Sequence, residues 1–269
     1  MSQASDEPRS TRRAYNFMID YHCHLSIKEY KGKENPIKNK IEEYGKSLKY
    51  LIDSTDIFSF EEALKIKEKY KFVHISAGLH PTDAIKISEK ELENYFEKIK
   101  ENKDKIVAIG EIGLDFYWIK EGSKIEKTKE VFVEFLSFSK EINLPVVLHA
   151  RNAIKEVFKI ILDNDIKNAV FHYYDGKVKI AKEIVKEGYF IGINSYIVKS
   201  PSIQNVAKEI DLKYLMVETD SPFAAINSEY NEPINVKLAL QKISELKGVE
   251  FKEVERIIDE NTIKFFNLI

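Results

Sequence analysis

The sequence predicts an α/β fold built as a closed (β/α)8 TIM barrel, and three observations lead to that prediction. Short apolar runs of strand length alternate along the chain with amphipathic segments of helical period. Strands that are buried on both faces and separated by helices indicate a parallel sheet, and eight such runs favour the barrel over an open doubly wound sheet. The chain also has no glycine-rich phosphate loop to support the open sheet.

The predicted elements follow one another in a regular order. Strands are predicted at Phe17–Asp20, Leu48–Asp53, Phe72–Ala77, Ile106–Gly110, Pro145–His149, Ala169–His172, Tyr189–Ile193 and Tyr214–Glu218. Helical patterns cover Phe60–Tyr70, Glu89–Lys100, Glu126–Ile142, Ala153–Leu162, Lys177–Lys186, Ile234–Leu246 and Phe251–Asn267. A weaker helical pattern follows Lys199, in the seventh βα unit.

Length and composition indicate one domain. A chain of 269 residues suits a single α/β barrel. An apolar share of 43% with 32% charged residues is typical of a globular protein with a large core. Because no low-complexity linker interrupts the pattern, residues 18–269 are predicted to form a single hydrolase-type barrel domain. Residues 1–17 are mostly polar, and we expect them to be a flexible N-terminal extension.

Charge and cysteine content restrict the possible partners and the compartment. The net charge of −2 provides no positive field for nucleic acid, so a polyanion would have to be held locally, for example by metal ions. A single cysteine excludes an internal disulfide and fits a cytoplasmic protein. Arg12-Arg13 resembles a twin-arginine export signal, but Asp20 interrupts the apolar segment that such a signal needs. No stretch suits a membrane span, and neither export nor a membrane partner is expected.

Six polar side chains follow five of the predicted strands, where a plain core would not need them. They are His22, His24, Glu111, His149, His172 and Asp220. Strand alternation turns His22 and His24 to one face and Cys23 to the other. Six histidines in 269 residues produce about 0.13 such pairs by chance, so the pair alone is a weak signal. Because barrel strands end at one mouth, the whole set predicts a metal site rather than separate hydrogen-bonded loop residues.

Six segments resemble the motifs of the TatD family in both order and spacing. They are Asp20-Tyr21-His22-Cys23-His24, Gly78-Leu79-His80-Pro81, Gly110-Glu111-Ile112-Gly113-Leu114-Asp115, Leu144-Pro145-Val146-Val147-Leu148-His149-Ala150-Arg151, Glu218-Thr219-Asp220-Ser221-Pro222 and Asn231-Glu232-Pro233. Members of this family are metal-dependent deoxyribonucleases of TIM-barrel fold, related to amidohydrolases. The resemblance therefore implies hydrolysis of DNA phosphodiester bonds, which we expect to proceed from an end of the strand.

The resemblance also implies two adjacent divalent metal ions. One position would be held by His22, His24, Glu111 and Asp220, and the other by Glu111, His149 and His172. Glu111 would bridge the two ions, and Asp220 would also orient or deprotonate the attacking water, which makes these two carboxylates the predicted catalytic residues. Histidine-rich ligation favours Zn²⁺ or Mn²⁺ over Mg²⁺ without deciding the ion.

Residues around this predicted centre carry weaker signals, each with a structural alternative. The resemblance implies that His80 lies near the substrate phosphate; the structural alternative is a loop hydrogen bond. Arg151 is predicted to pair with phosphate, or else to form a surface ion pair. Phe116, Tyr117 and Trp118 are predicted to stack on an exposed base, or else to act as a lid or a core plug.

Two other functions remain compatible with the sequence. The same metals could hydrolyse a lactone, amide or ester, and one departure from the family pattern supports this alternative. Where many members have a Cys-Phe-Ser-Gly-like run, this chain has Tyr173-Tyr174-Asp175-Gly176 at the border of the site. A non-catalytic scaffold is the remaining alternative, although scaffolding would not require intact ligands. No obligate protein partner is evident from the sequence.

Overall fold

The structure is a computed structural model that describes residues 18–268, so the predicted extension at residues 1–17 lies outside the described residues. Its strands, in chain order, are β1 (Met18–Cys23), β2 (Glu29–Tyr30), β3 (Lys33–Glu34), β4 (Leu48–Thr55), β5 (Val73–Ala77), β6 (Ile106–Asp115), β7 (Val146–Arg151), β8 (Ala169–Phe171), β9 (Phe190–Asn194) and β10 (Leu215–Glu218). The short strands β2 and β3 form an antiparallel hairpin. The other eight form one parallel sheet in chain order.

The sheet closes into a barrel where β10 meets β1. The backbone N–H of Asp220 donates to the carbonyl oxygen of His22 at 2.9 Å, and the N–H of His24 donates to the carbonyl oxygen of Ser221 at 2.7 Å. Each of the eight predicted strands corresponds to one of the eight barrel strands. The predicted (β/α)8 barrel is therefore confirmed.

The helices cover the outside of the barrel. They are α1 (Ile41–Tyr44), α2 (Phe60–Lys69), α3 (Pro81–Ala84), α4 (Glu89–Glu101), α5 (Gly122–Ile142), α6 (Ile154–Asp163), α7 (Val178–Lys186), α8 (Pro201–Glu209), α9 (Val236–Lys247) and α10 (Phe251–Phe266). The weak pattern after Lys199 is the helix α8, which Ser200 caps by accepting a hydrogen bond from the N–H of Ile203. The β2–β3 hairpin, α1 and α3 are absent from the sequence prediction because such short segments carry no measurable period. Within residues 18–268 no helix has the length and apolar character needed to span a membrane.

Apolar side chains fill the barrel interior and close its lower end. The interior cluster consists of Tyr21, Ile52, Ala108, Val147, Val170, Met216, Phe266 and Leu268. Phe266 is the last residue of α10 and Leu268 lies just beyond it, and both close the N-terminal end of the barrel, with the rings of Phe266 and Tyr21 6.0 Å apart. Burial of each large side chain stabilises the fold by about 1.5–3 kcal/mol. The barrel therefore has a closed floor and a single open mouth.

The same inward-facing positions change from apolar to polar on approaching the mouth. Val147 is followed two residues later by His149, and Val170 is followed in the same way by His172. Alternate residues of a strand share a face, so the polar residue two positions after an apolar interior residue points into the mouth. The pairing of β1 with β4 is irregular between Asp20 and Cys23. Even so, Cys23 packs, as predicted, on the other face of the strand, in the main apolar cluster between the barrel and its helices, here called the outer core.

Candidate metal centre

Four imidazoles surround the carboxylate of Glu111, which extends from β6 into the mouth. Its Oε2 lies 3.2 Å from His149 Nδ1, 3.3 Å from His172 Nε2 and 3.9 Å from His22 Nε2. Its Oε1 faces the other way, 3.8 Å from His24 Nε2. The two oxygens of one carboxylate therefore face different imidazole nitrogens, three at Oε2 and one at Oε1.

Asp220 completes the group on the side of β1. Its Oδ1 lies 3.2 Å from His24 Nε2 and 3.7 Å from His22 Nε2. The backbone of Asp220 has a left-handed conformation, with φ of 57°. Such a conformation costs about 1–2 kcal/mol for a residue with a side chain, although aspartate tolerates it better than most. The structure thus brings together all six residues that the sequence predicted as ligands.

Ser54, in β4, fixes the orientation of the two β1 histidines. Its hydroxyl forms a hydrogen bond with His22 Nδ1 at 2.8 Å, and its carbonyl oxygen accepts one from His24 Nδ1 at 2.8 Å. In both rings this leaves Nε2 directed at Glu111 and Asp220. Sequence reasoning missed Ser54, because its role depends on the pairing of β1 with β4 and has no local signal.

Carboxylates fix the other two histidines. His149 Nε2 donates to Asp115 Oδ2 at 3.1 Å, and His172 Nδ1 donates to Glu218 Oε2 at 3.2 Å. Such outer partners set the tautomer and ring orientation of metal-binding histidines and increase their basicity. Asp115 and Glu218 were not predicted as site residues, although both end strands within the quoted motifs, and that position is a signal that was available.

One buried nitrogen in the centre tests whether these residues suit a metal ion. His22 Nε2 is fully buried and has no hydrogen-bond partner among the described residues. A buried polar atom without a partner costs about 1–3 kcal/mol, so its placement requires an explanation. Together with the oxygens of Glu111 and Asp220, it provides nitrogen and oxygen donors of the kind that divalent transition metals bind. The residues present therefore fit a divalent cation.

The electrostatic field of the centre attracts positive charge. Burial alone would lower the pKa of His24, but its hydrogen bond to Asp220 and the charge of Glu111 raise that pKa to about 9. Burial likewise opposes protonation of His172, but the charges of Glu218 and Glu111 raise its pKa to about 10. Burial would raise the pKa of Glu111, yet the hydrogen bond from His149 and the charge on His172 hold it well below its usual range. Ionised carboxylates thus dominate the mouth.

The cavity above this centre is acidic. It has a volume of about 720 Å³, and its carboxylates come from Asp56, Asp83, Glu111, Asp115, Asp175 and Asp220. Within the described chain, Arg151 is the only Lys or Arg residue that lines it. Because like charges repel strongly in a partly enclosed site, a phosphate would need additional cations to enter.

Comparison with known proteins assigns the chain to a family. The model of the family described as "TatD related DNase" matches residues 19–267. The chain belongs to the TatD family. This assignment confirms the resemblance read from the motifs and identifies the protein as a metal-dependent hydrolase of that family.

Relatives match over nearly their whole length. An uncharacterized metal-dependent hydrolase of Methanocaldococcus jannaschii is 36% identical, over 92% of this chain and 96% of the relative. Human deoxyribonuclease TATDN3 is 29% identical, over 93% and 94% of the two chains. Among solved structures, the TatD homolog YjjV of Escherichia coli has a TM-score of 0.83 and 25% identity, over 96% of this chain and 100% of that one. A dihydroorotase of Campylobacter jejuni, with a TM-score of 0.62 and 13% identity, shares the fold alone.

In this TatD-family enzyme His80 makes the loop hydrogen bond that was one of its two predicted roles, and it also lines the cavity, while its contact with a substrate phosphate stays a prediction. The ring of His80 caps α3, because its Nδ1 accepts a hydrogen bond from the N–H of Thr82 at 3.2 Å; the same nitrogen lies 2.7 Å from the Thr82 hydroxyl. The ring also lines the cavity, edge-to-face with His149 at 4.5 Å between centroids. Burial, together with the charge on His149, lowers the pKa of His80 to about 4, so the ring is neutral at pH 7.

The aromatic segment after β6 divides into two parts. Phe116 is partly buried and packs against the outer core, which matches the predicted core plug. Tyr117 and Trp118 project outward and are 46% and 63% exposed. Arg151 stacks on Tyr117 at 4.0 Å from its ring centroid, and no ion pair involves its guanidinium among residues 18–268. Its charge is therefore not neutralised by a neighbouring carboxylate.

Proposed function

We propose that this enzyme hydrolyses DNA phosphodiester bonds with two divalent metal ions at the mouth of the barrel. The observation that carries the proposal is the placement of Glu111 among four imidazoles, with its Oε1 facing His24 and its Oε2 facing His149 and His172 most closely and His22 at 3.9 Å. A carboxylate in that position is suited to bridge two cations. The relation to a human protein named as a deoxyribonuclease supports DNA as the substrate.

The proposed ligands form two sets that share Glu111. One set is His22, His24, Glu111 and Asp220, and the other is Glu111, His149 and His172. Two bound cations supply positive charge that stabilises both the attacking and the leaving oxygen of an in-line displacement. Four imidazoles favour Zn²⁺ or Mn²⁺ over Mg²⁺, which prefers oxygen ligands and retains several waters.

The protein's own residues supply the remaining steps. Asp220 lies at the edge of the centre with its carboxylate lining the cavity, so it can orient a water molecule and accept its proton. Asp115 and Glu218 keep His149 and His172 in fixed orientations throughout the reaction. Arg151 provides the only permanent side-chain cation of the described cavity wall and would bind a phosphate next to the scissile one.

Cavity size supports attack at a strand end or an unpaired stretch. A volume of about 720 Å³ lies in the range of pockets for small molecules, roughly 300–1,000 Å³. Phe266 and Leu268 close the floor, so a strand cannot pass through the barrel. We therefore propose that the enzyme acts from an end and prefers single-stranded regions.

A second candidate function is hydrolysis of an ester, lactone or amide on the same metals. The acidic cavity wall favours it, because Asp56, Asp83 and Asp175 add negative charge beyond the ligands. A neutral substrate would enter this cavity without electrostatic penalty, whereas DNA depends on the metal ions.

One experiment separates the two functions. Protein loaded with Zn²⁺, Mn²⁺ or Mg²⁺ is incubated with end-labelled single- and double-stranded DNA and, in parallel, with a chromogenic ester. We expect shortening of the labelled single strand with at least one of these ions and none by the Glu111→Gln protein. Rapid ester hydrolysis without cleavage of any DNA would refute the proposed function and favour the second candidate.

A further inference from the structure

We propose that two aromatic platforms on opposite sides of the mouth stack on unpaired bases of the substrate strand. Tyr117 and Trp118 form one platform, and Phe223 forms the other. The inference rests on the proposed function and extends it, because it assigns one base contact to each side of the scissile bond. The ligand is thereby defined as a single strand with unpaired bases beside the metal centre.

Barrel topology places the platforms opposite each other. Tyr117 and Trp118 follow β6, the fourth strand of the barrel, and Phe223 follows β10, the eighth. Strands four positions apart in an eight-stranded barrel lie on opposite sides of its axis. Both loops leave the C-terminal ends of their strands, and Trp118 and Phe223 both line the cavity. A strand that crosses the metal centre between these loops would meet both platforms.

The first platform is attached directly to the centre. Asp115 Oδ1 accepts hydrogen bonds from the backbone N–H groups of Tyr117 at 2.9 Å and Trp118 at 2.8 Å. The other oxygen of the same carboxylate holds His149 Nε2 at 3.1 Å. One side chain therefore fixes both the aromatic turn and a proposed metal ligand, so the distance between base contact and reaction centre is constrained.

The second platform is attached on the other side of Glu111. The ring of Phe223 meets His24 edge-to-face at 5.4 Å and meets Tyr30 in the same manner at 5.4 Å. Even with these contacts Phe223 remains 41% exposed at the cavity. Trp118, across the mouth, is 63% exposed. Exposed aromatic surface around a binding cavity indicates a ligand that covers it, and nucleobases stack well on such rings.

Arg151 adds a cation to the first platform. Its guanidinium lies 4.0 Å from the ring centroid of Tyr117 and 5.6 Å from that of Trp118. Tyr117 therefore covers one face of the Arg151 guanidinium. The N–H groups at the edge of the guanidinium stay available for a phosphate oxygen. A base on Trp118 and its phosphate on Arg151 would be recognised together.

Trp118 is the only tryptophan of the chain, so its fluorescence reports this platform alone. The test titrates the full-length wild-type protein, loaded with Zn²⁺, with a nuclease-resistant phosphorothioate hexathymidylate and with a base-free strand of the same length and linkage. We expect hexathymidylate to quench the fluorescence and the base-free strand to leave it unchanged. Because stacking on one aromatic ring changes affinity by about fivefold or more, Phe223→Leu should weaken hexathymidylate binding by at least that factor.

Cleavage by the active enzyme provides a second measurement. In the wild-type background, Trp118→Leu and Phe223→Leu should each raise KM for single-stranded DNA about fivefold or more and leave kcat within about twofold. Cleavage of the base-free strand should not change. Leu162→Ser, which alters an exposed apolar residue on α6, is the matched control and should behave like the wild type.

The outcomes separate this inference from the proposed function. If wild-type protein cleaves DNA but both substitutions leave KM unchanged and no oligonucleotide quenches Trp118, the platforms are wrong and the nuclease proposal stands. If the wild type neither binds nor cleaves DNA with any of the three ions, both proposals fail.

Discussion

The four histidines at the mouth of this barrel differ in their hydrogen bonding from two residues of its lower half that bury polar atoms, His74 and Asp259. At the mouth, each of the four histidines of the centre has one nitrogen fixed by a neighbouring oxygen and the other directed inward. In the lower half, His74 Nε2 in β5 and both carboxylate oxygens of Asp259 on α10 are buried without hydrogen-bond partners. Burial, with the charge of Glu255, raises the pKa of Asp259 to about 8.

This contrast shows which buried polar groups are organised for a ligand. The unpaired polar atoms of His74 and Asp259 lie outside the group of proposed ligands, and their burial reduces stability. The one unpaired nitrogen of the centre, His22 Nε2, instead lies within 4 Å of oxygens of Glu111 and Asp220. His22 Nε2 therefore differs from the unpaired atoms of the lower half in one respect: it lies next to other atoms that could bind the same metal ion. The lack of a hydrogen-bond partner alone does not identify a ligand site.

The largest expected effect comes from matched acid-to-amide changes at the two ends. Glu111→Gln should reduce hydrolysis by about 10³-fold or more, because it removes the carboxylate that lies among all four imidazoles. Asp220→Ala should have a similar effect. Asp259→Asn, the control in the other half, should retain nearly full activity. The measurement is kcat/KM on labelled single-stranded DNA, with folding checked by circular dichroism; a normal rate for Glu111→Gln would remove it from the mechanism.

Metal removal should abolish the functions of the mouth, hydrolysis and oligonucleotide binding, without a direct effect on the apolar floor of the barrel. Treatment with a chelator should abolish both hydrolysis and oligonucleotide binding, because the acidic cavity then repels phosphate. Adding back Zn²⁺ or Mn²⁺ should restore both and raise the free energy of unfolding by about 2.7 kcal/mol at a concentration 100 times the Kd. Metal analysis of the reconstituted protein should find two ions per chain. Undiminished activity after exhaustive chelation would contradict the proposed centre.

The outer carboxylates should produce a smaller effect. Asp115→Asn and Glu218→Gln each replace the acceptor that fixes a histidine, and such changes reduce metal affinity by about 10–100-fold. Isothermal titration with Zn²⁺ measures the loss, and excess metal should recover much of the activity. Equal affinity in the wild type and both variants would show that these carboxylates are structural only.

The smallest effect concerns stability and pH at Asp259. The ordinary pKa of 3.8 applies to the unfolded chain and about 8 to the folded one, so the folded state binds more protons between these values. Stability therefore falls as pH rises from about 4 to 8. Asp259→Asn should be more stable than the wild type by about 1–3 kcal/mol at pH 8, and the difference should disappear near pH 4. Urea denaturation at both pH values measures it; a difference independent of pH would exclude this cause.

Local patterns were sufficient to predict the fold and the six proposed ligands. Each barrel strand is an apolar run that can be recognised within a few residues, and each proposed ligand stands at or just beyond the end of such a run. His149 and His172 illustrate this, since both continue the inward-facing series of a strand. The resemblance to TatD motifs rests on the same local segments, so family membership could be predicted from the sequence alone.

Only the tertiary structure revealed the groups that organise the centre. Ser54 contacts His22 across 32 positions of sequence, and Glu218 contacts His172 across 46. Phe223 becomes a platform because its loop packs on His24, and Arg151 stacks on Tyr117 instead of forming an ion pair. The sequence by itself determined which residues reach the mouth, because strand periodicity is local. Their partners depend on strand register and loop conformation, which the packing of the whole barrel decides.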